Sequence, residues 1–247
     1  MSHASRNLSR VIEDSSIERI LAVLAHPDDV DFALAGTVAT WTNAGIEVSY
    51  CIVTSGDAGG FDPSVPRGDI AGIRQAEQRA AAKAVGVTDV RFLGYPDGQV
   101  EVSLDLRRDI ARVIREVRPH RLVAQSPERH MSRIPAAHPD HTAVGEATLS
   151  AMYPDARNQF AFADSLGHLE AWSVPETWVT AMERVNHYVD VTDVFERKKA
   201  ALLHHKSQIK SADDIDRLLR WWLGSNAQAA GLPEGRLAEA FWVMDTA

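Results

Sequence analysis

Ile20-Leu21-Ala22-Val23-Leu24-Ala25-His26-Pro27-Asp28-Asp29 is the stretch that decides the fold. An unbroken apolar run ending abruptly in polar residues reads as a strand buried on both faces, as in a parallel sheet. Proline suits the first turn of a helix, where its missing N–H needs no intrahelical partner. The strand therefore passes through His26 directly into a helix, predicted over Val30–Ala44 and stopped at Gly45.

Outward from there the same alternation repeats. Glu47–Thr54 is a second strand, followed by the loop Ser55–Gly60 and a helix over Ile70–Val85 that stops at Gly86. Val90–Leu93 is a short strand, Gly94–Gly98 a turn, and Asp105–Val117 a helix ending before Pro119. Arg121–Gln125 is a fourth strand, Ser126–Ala137 a loop, and Pro139 opens another helix. After Pro154 the pattern loosens. Trp178–Met182 and His187–Val191 read as strands, Phe195–Lys210 and Asp213–Leu223 as helices, and Leu237, Phe241 and Trp242 as apolar anchors of the tail. Alternating strands and helices predict an α/β fold, a mostly parallel sheet with helices on both faces plus a C-terminal strand/helix extension. Residues 1–16 read as a flexible N-terminal arm. Residues 17–247 read as a single α/β domain whose helical extension begins at about 195.

In such sheets ligands bind beyond the carboxyl ends of the strands. His26, Asp57, Asp97 and the loop from Ser126 all follow predicted strands, which places them on one rim. The second chemistry-bearing block, His138-Pro139-Asp140-His141, also opens a predicted helix there. His26 and Asp29 are three residues apart and share a helix face, so they can chelate one ion, with His141 joining from across the rim. Two imidazoles and a carboxylate with an open position form the donor set of a catalytic zinc, one Zn2+ per chain. Asp28 points away from Asp29 and is free to take a proton from water, whose pKa such an ion lowers to roughly 7. His138 can stabilise an oxyanion or orient the attacking group. If His138 were instead a fourth ligand, the site would be a closed, structural zinc. Either block alone is commonly just a capped turn, with Asp28, Asp29 and Asp31 complementing a helix dipole. Two such blocks at one rim favour the ion. The same donors also suit Fe(II) in an oxygenase, and a metal-free sugar- or nucleotide-binding module is a third reading.

Composition narrows the partners. Acidic residues outnumber basic ones by 34 to 26 over 247 residues, the net charge is −8 and no dense Lys/Arg patch occurs, which argues against nucleic acid and anionic membrane. Cys51 is the single cysteine, so no intrachain disulfide or cysteine zinc cage can form. No apolar leader core or membrane-length run is present, so a cytoplasmic protein is expected, with export by another route left open.

At Ala25-His26-Pro27-Asp28-Asp29 and His138-Pro139-Asp140-His141 the chain resembles the LmbE-like, or PIG-L, family of zinc-dependent N-deacetylases, over roughly residues 18–150. The resemblance implies a Rossmann-like fold and hydrolysis of an N-acyl group, commonly acetyl on an amino sugar. It implies zinc ligands His26, Asp29 and His141, general base Asp28 and oxyanion-stabilising His138. Arg74 and Glu77 match the family's Arg-x-x-Glu, whose arginine often faces substrate, and Asp97 matches a rim aspartate that contacts sugar hydroxyls. The chain departs from the family in two places. Val30 stands where many relatives have Glu after the Asp-Asp pair, with Asp31 following, and Ala136 stands where thiol-sugar enzymes have tyrosine. The expected substrate is a small N-acylated amine, most plausibly an N-acetylglucosaminyl compound. An amidase acting on a thiol-sugar conjugate is the alternative, and homo-oligomerisation is left open. The loop Ser55–Gly60, and Arg129, His130 and Arg133, are candidate pocket residues. His187, His204 and His205 read as core or surface, and the tryptophans chiefly as packing.

Overall fold

In the computed structural model the described residues are 11–131 and 133–247. The first ten residues of the expected arm lie outside them, as does the side chain of Ala136. From Val11 the chain is tied down. Val11 and Ile12 pack on the core, the Ile12 N–H donates to Glu176 at 2.6 Å, and Arg121 reaches the Ile12 carbonyl and Asp14. This part of the expected arm is held because Arg121, fully buried in the sheet, needs those acceptors.

Among the described residues seven strands, β1 (Arg19–Leu24), β2 (Glu47–Thr54), β3 (Asp89–Tyr95), β4 (Arg121–Gln125), β5 (Glu176–Thr180), β6 (His187–Asp190) and β7 (Ala238–Asp245), lie in the order β3-β2-β1-β4-β5-β7-β6. The first five positions pair in parallel, and β7 runs antiparallel to both of its neighbours. The helices are α1 (Asp29–Asn43), α2 (Arg67–Ala84), α3 (Leu104–Val117), α4 (Pro139–Ser150), the short α5 (Ala163–Leu166), α6 (Phe195–Leu202) and α7 (Ala212–Ala229).

The period-two geometry of a strand explains the two-sided core. Ile20, Ala22 and Leu24 of β1 pack with Leu34, Val38 and Trp41 of α1 and Ala81 and Ala82 of α2. The intervening Leu21 and Val23 pack with Leu106, Ile110 and Ile114 of α3 and Val144 and Ala147 of α4. Apolar residues at every position of β1 after Arg19 are thus what a strand sandwiched between two helical layers requires.

Three features differ from the sequence reading. α6 stops at Leu202 instead of Lys210, because the chain then tightens into turns that carry His205 inward to Asp31. α7 runs on to Ala229, past Gly224. The tail is not merely anchored: it forms β7 and inserts between β5 and β6. Its alternation is masked by Glu239, a buried carboxylate that takes the Lys198 ammonium at 2.7 Å and the N–H groups of Gly36 and Thr37. Among the described residues, no helix is long and apolar enough to cross a membrane.

Candidate metal centre

β2 and β3 lie on one side of β1 and β4 on the other, so the chain reverses its direction of winding between β1 and β4. That crevice is where an open α/β sheet binds ligands, and both histidine blocks open onto it. His26 and Asp28 lie between β1 and α1, and His138 caps α4, its Nδ1 accepting the Asp140 N–H at 3.2 Å.

Three donors converge. His26 Nδ1 is 3.2 Å from His141 Nε2, Asp29 Oδ2 is 3.3 Å from His26 Nδ1, and Asp29 Oδ1 is 3.2 Å from His141 Nε2. Two ligands each about 2.0–2.1 Å from a tetrahedral zinc stand about 3.3 Å apart, so each of the three separations, one to each oxygen of the Asp29 carboxylate and one between the imidazoles, matches the spacing of two zinc ligands. The neighbouring bonds set the direction of each donor. His26 Nε2 lies 3.0 Å from Asp140 Oδ2 and 3.1 Å from Asp97 Oδ1, so its N–H points to carboxylates and the Nδ1 lone pair faces the triangle. Asp29 Oδ2 accepts from the His26 N–H at 2.8 Å and from Gln125 Nε2 at 3.0 Å. Gln125 is locked in turn by the Ala25 N–H. One proton on His141 can lie along only one edge of the triangle, whereas a cation at its centre satisfies all three.

The electrostatics agree. Burial opposes charge on His26, yet its bonds to Asp140, Asp29 and Asp97 push its pKa up to about 12. The three carboxylates around the ring, Asp29, Asp97 and Asp140, gather negative charge that a cation at Nδ1 would offset. Asp29 is likewise held well below the usual carboxylate range; burial works against this, and the charge and hydrogen bond of His141 prevail. Two further groups have ligand spacing, His26 with His138 and His141, and His26 with Asp97 and Asp140; in the first, His138 Nδ1 is already taken by the Asp140 N–H. Asp140, however, already accepts the N–H groups of Gly98 and Val100 at 2.7 and 3.3 Å. That makes it the better orienter of His26, while Asp29 Oδ1 faces the open crevice.

Asp28 sits beside this triangle in an unusual backbone state, φ 89°, ψ −27°. A left-handed non-glycine costs of order 1–3 kcal/mol and persists where its surroundings enforce it. Burial, followed by the adjacent Asp29 charge, pushes its carboxyl up to about 7. His138 packs edge-on against His26, with ring centroids 4.9 Å apart. Burial, helped by the His26 charge, lowers its pKa, and because its Nδ1 accepts from Asp140, its proton resides on Nε2. It is a neutral N–H donor.

Arg74 and Asp97, expected to contact substrate, are instead turned inward. Arg74 is 4% exposed and donates to the carbonyls of Pro27 at 2.7 Å and Gly56 at 3.1 Å, while lying 3.4 Å from Asp28 Oδ2. Space for it exists only because residues 56 and 59 are glycines, where a Cβ would lie 2.3 Å from the guanidinium. The Asp97 carboxylate bridges His26 and the Ala58 N–H, 3.7 Å from Arg74. Residue spacing places both beside the site but does not tell which way they face. Glu77 holds the Ser207 turn. Asp140, Gln78 and Gln125 have roles the motifs did not announce. For Asp140 the signal was its place between two histidines at a helix start.

A cavity of about 540 Å³ opens over the centre. Asp28, Asp29 and His141 form its floor, and Phe32, Met182 and Trp222 are among its walls. Arg133 stacks over Trp222 at 4.3 Å. A second hollow, between α6 and α7 at Lys199 and Asp216, shares no residue with it.

Residues 21–152 match the family profile described as GlcNAc-PI de-N-acetylase. The chain is 28% identical over 226 residues to the diacetylchitobiose deacetylase of Thermococcus kodakarensis, covering 91% of this chain and 82% of that one. It is 29% identical to a probable N-acetyl-alpha-D-glucosaminyl L-malate deacetylase of Bacillus cereus, over 78% of this chain and 84% of that one. In structure it resembles the N,N'-diacetylchitobiose deacetylase of Pyrococcus horikoshii, with a TM-score of 0.86, 25% identity, and coverage of 94% of this chain and 85% of that one. With a profile match over more than half its length, spanning the two histidine blocks, the chain belongs to the PIG-L family.

Proposed function

We propose that this protein is a metal-dependent amide hydrolase that removes the acetyl group from a small N-acetylglucosaminyl compound. The observation that carries this reading is the triangle of His26, Asp29 and His141, with edges of 3.2–3.3 Å and the Asp28 carboxyl beside it. His26, Asp29 and His141 would hold the ion. Two imidazoles and one carboxylate with a free position suit Zn2+. The ion, when bound, supplies Lewis-acid polarisation of the amide carbonyl and a more acidic water.

The chain's own groups do the rest. Asp28, ionised and facing the cavity, takes a proton from the attacking water and returns it to the departing amine. His138 presents Nε2–H to the carbonyl oxygen as that oxygen becomes negative. Asp140 and Asp97 keep the His26 Nε2–H turned away from the ion. Phe32, Met182 and Trp222 give the cavity apolar faces against which a sugar ring can lie. Relatives named for diacetylchitobiose and for glucosaminyl malate support N-acetylglucosaminyl substrates over other amides.

The test is release of acetate from a panel of N-acetylglucosaminides with varied aglycones, alongside elemental analysis of the purified protein. Acetate release with one equivalent of zinc supports the reading. Oxygen-dependent turnover on iron, or a metal-free protein that only binds sugars, overturns it.

A further inference from the structure

The backbone strain at Asp28 is held by two side chains of α2. The Pro27–Asp28 peptide presents its two polar groups to a single face of α2. Arg74 Nη2 donates to the Pro27 carbonyl at 2.7 Å, and Gln78 Oε1 accepts the Asp28 N–H at 2.8 Å. Arg74 and Gln78 are four residues apart, one turn of the helix, so they grip the two edges of one peptide plane. Gripping that plane fixes the rotation on either side of it, including the φ of Asp28.

The grip works only if the Gln78 amide presents its oxygen, not its NH2, to the Asp28 N–H. The next residues determine that choice. Gln78 Nε2 donates to Asp31 Oδ2 at 2.9 Å, and the same oxygen lies 2.8 Å from His205 Nε2. Asp31 and His205 are both fully buried, and the one Asp31 oxygen accepts from both Gln78 Nε2 and the His205 ring. Direction therefore runs one way along the chain: His205 N–H to Asp31, Gln78 N–H to Asp31, Asp28 N–H to Gln78. A flipped Gln78 would set NH2 against N–H at one end and oxygen against carboxylate at the other. The inward turn after α6 that shortens that helix is what delivers His205 to this position.

We infer that Gln78, with its polarity set by Asp31 and His205, is a positioning residue: together with Arg74 it holds the general base in its left-handed conformation, aimed into the cavity. Gln78, Asp31 and His205 do not line the cavity and are not among the three donors. The inference rests on the proposed hydrolysis, in which Asp28 moves the proton, and its test separates the two.

Two variants decide it. Gln78→Glu keeps an acceptor for the Asp28 N–H but faces the Asp31 carboxylate with a like charge, so the polarity is lost. Adding Asp31→Asn restores it, because an NH2 in the place of Asp31 Oδ2 can donate one hydrogen to the carboxylate introduced at position 78 and the other to His205 Nε2, with the imidazole proton on Nδ1. The metal-loaded proteins are compared for kcat and KM in acetate release, metal content, and hydrogen exchange of the Asp28 amide by NMR. A displacement of about 1 Å in a catalytic group can cost on the order of 100-fold. The expected result is a fall in kcat of roughly tenfold to 100-fold for Gln78→Glu, with KM and metal content kept and the Asp28 amide deprotected. The double variant should recover most of both kcat and protection. Wild-type kcat and protection in Gln78→Glu, or a double variant that regains thermal stability but not kcat, overturns the inference. Absence of hydrolysis in the wild type with the Asp28 amide protected would instead count against the proposed function, while the amide data alone still read the grip.

Discussion

Asp28 has a carboxyl raised to about 7, chiefly by burial and then by the neighbouring Asp29 charge. A base must be ionised to act, so kcat/KM should fall on the acid side as this carboxyl takes up a proton. A bound cation beside it favours ionisation and moves that limb lower. A pH–rate profile of the zinc form that is flat from pH 8 down to pH 4 would remove Asp28 as the base. Asp28→Asn should retain its metal and lose on the order of 10²–10⁴ in kcat, read by steady-state assay and elemental analysis. The gathering of His26, Asp29 and His141 was legible because a three-residue spacing and a proline at a helix start carry geometry. The inward orientation of Arg74 and Asp97 was not, because spacing says which residues are neighbours and not which partners are unsatisfied. In both cases a buried partner, the Pro27 carbonyl or the His26 ring, turned the side chain away from the cavity.

At the scale of elements, α2 and the loop after β2 meet through the Arg74 guanidinium. Gly56 has φ +65° and Gly59 lies equally close to the guanidinium. Gly56→Ala should therefore push Arg74 out and strain the turn. Both Tm and kcat should fall, and calorimetry with the acetate assay would show it. A variant with unchanged values would mean that the guanidinium has room to move. The turn after α6 has its own signature. Burial opposes charge on His205, but the Asp31 bond and charge win and raise its pKa above 6.5. The charged pair stabilises the fold in full below pH 6.5, and that contribution is lost as pH rises through the higher folded value. Thermal melts across pH should show wild type losing this increment on the alkaline side relative to His205→Gln. Parallel curves would contradict it. β1, β2 and β4 were readable because their faces are apolar on both sides. β7 was not, since Glu239 and its partner Lys198 put charge where a strand of this sheet is expected to be apolar.

Over the whole molecule, the sheet order explains why residues 115 positions apart touch at His26 and His141. The crossover from β3 back to β4 beside β1 brings the second histidine block against the first. That much follows from alternating strands and helices. The cavity wall does not, because Trp222 on α7 and Met182 after β5 reach the site only through the C-terminal third, whose β7 locks α7 to the sheet. Trp222→Ala should raise KM for glucosaminides with a large aglycone more than for N-acetylglucosamine itself, with kcat little changed. Equal effects on both substrates would place Trp222 outside the binding face.

The most direct measurement is anomalous diffraction at the zinc edge from crystals of the zinc-loaded protein. A single peak about 2.0–2.1 Å from His26 Nδ1, Asp29 and His141 Nε2 is the predicted result. A peak on the other side of the His26 ring, between Nε2, Asp97 and Asp140, or no peak at all, would contradict it.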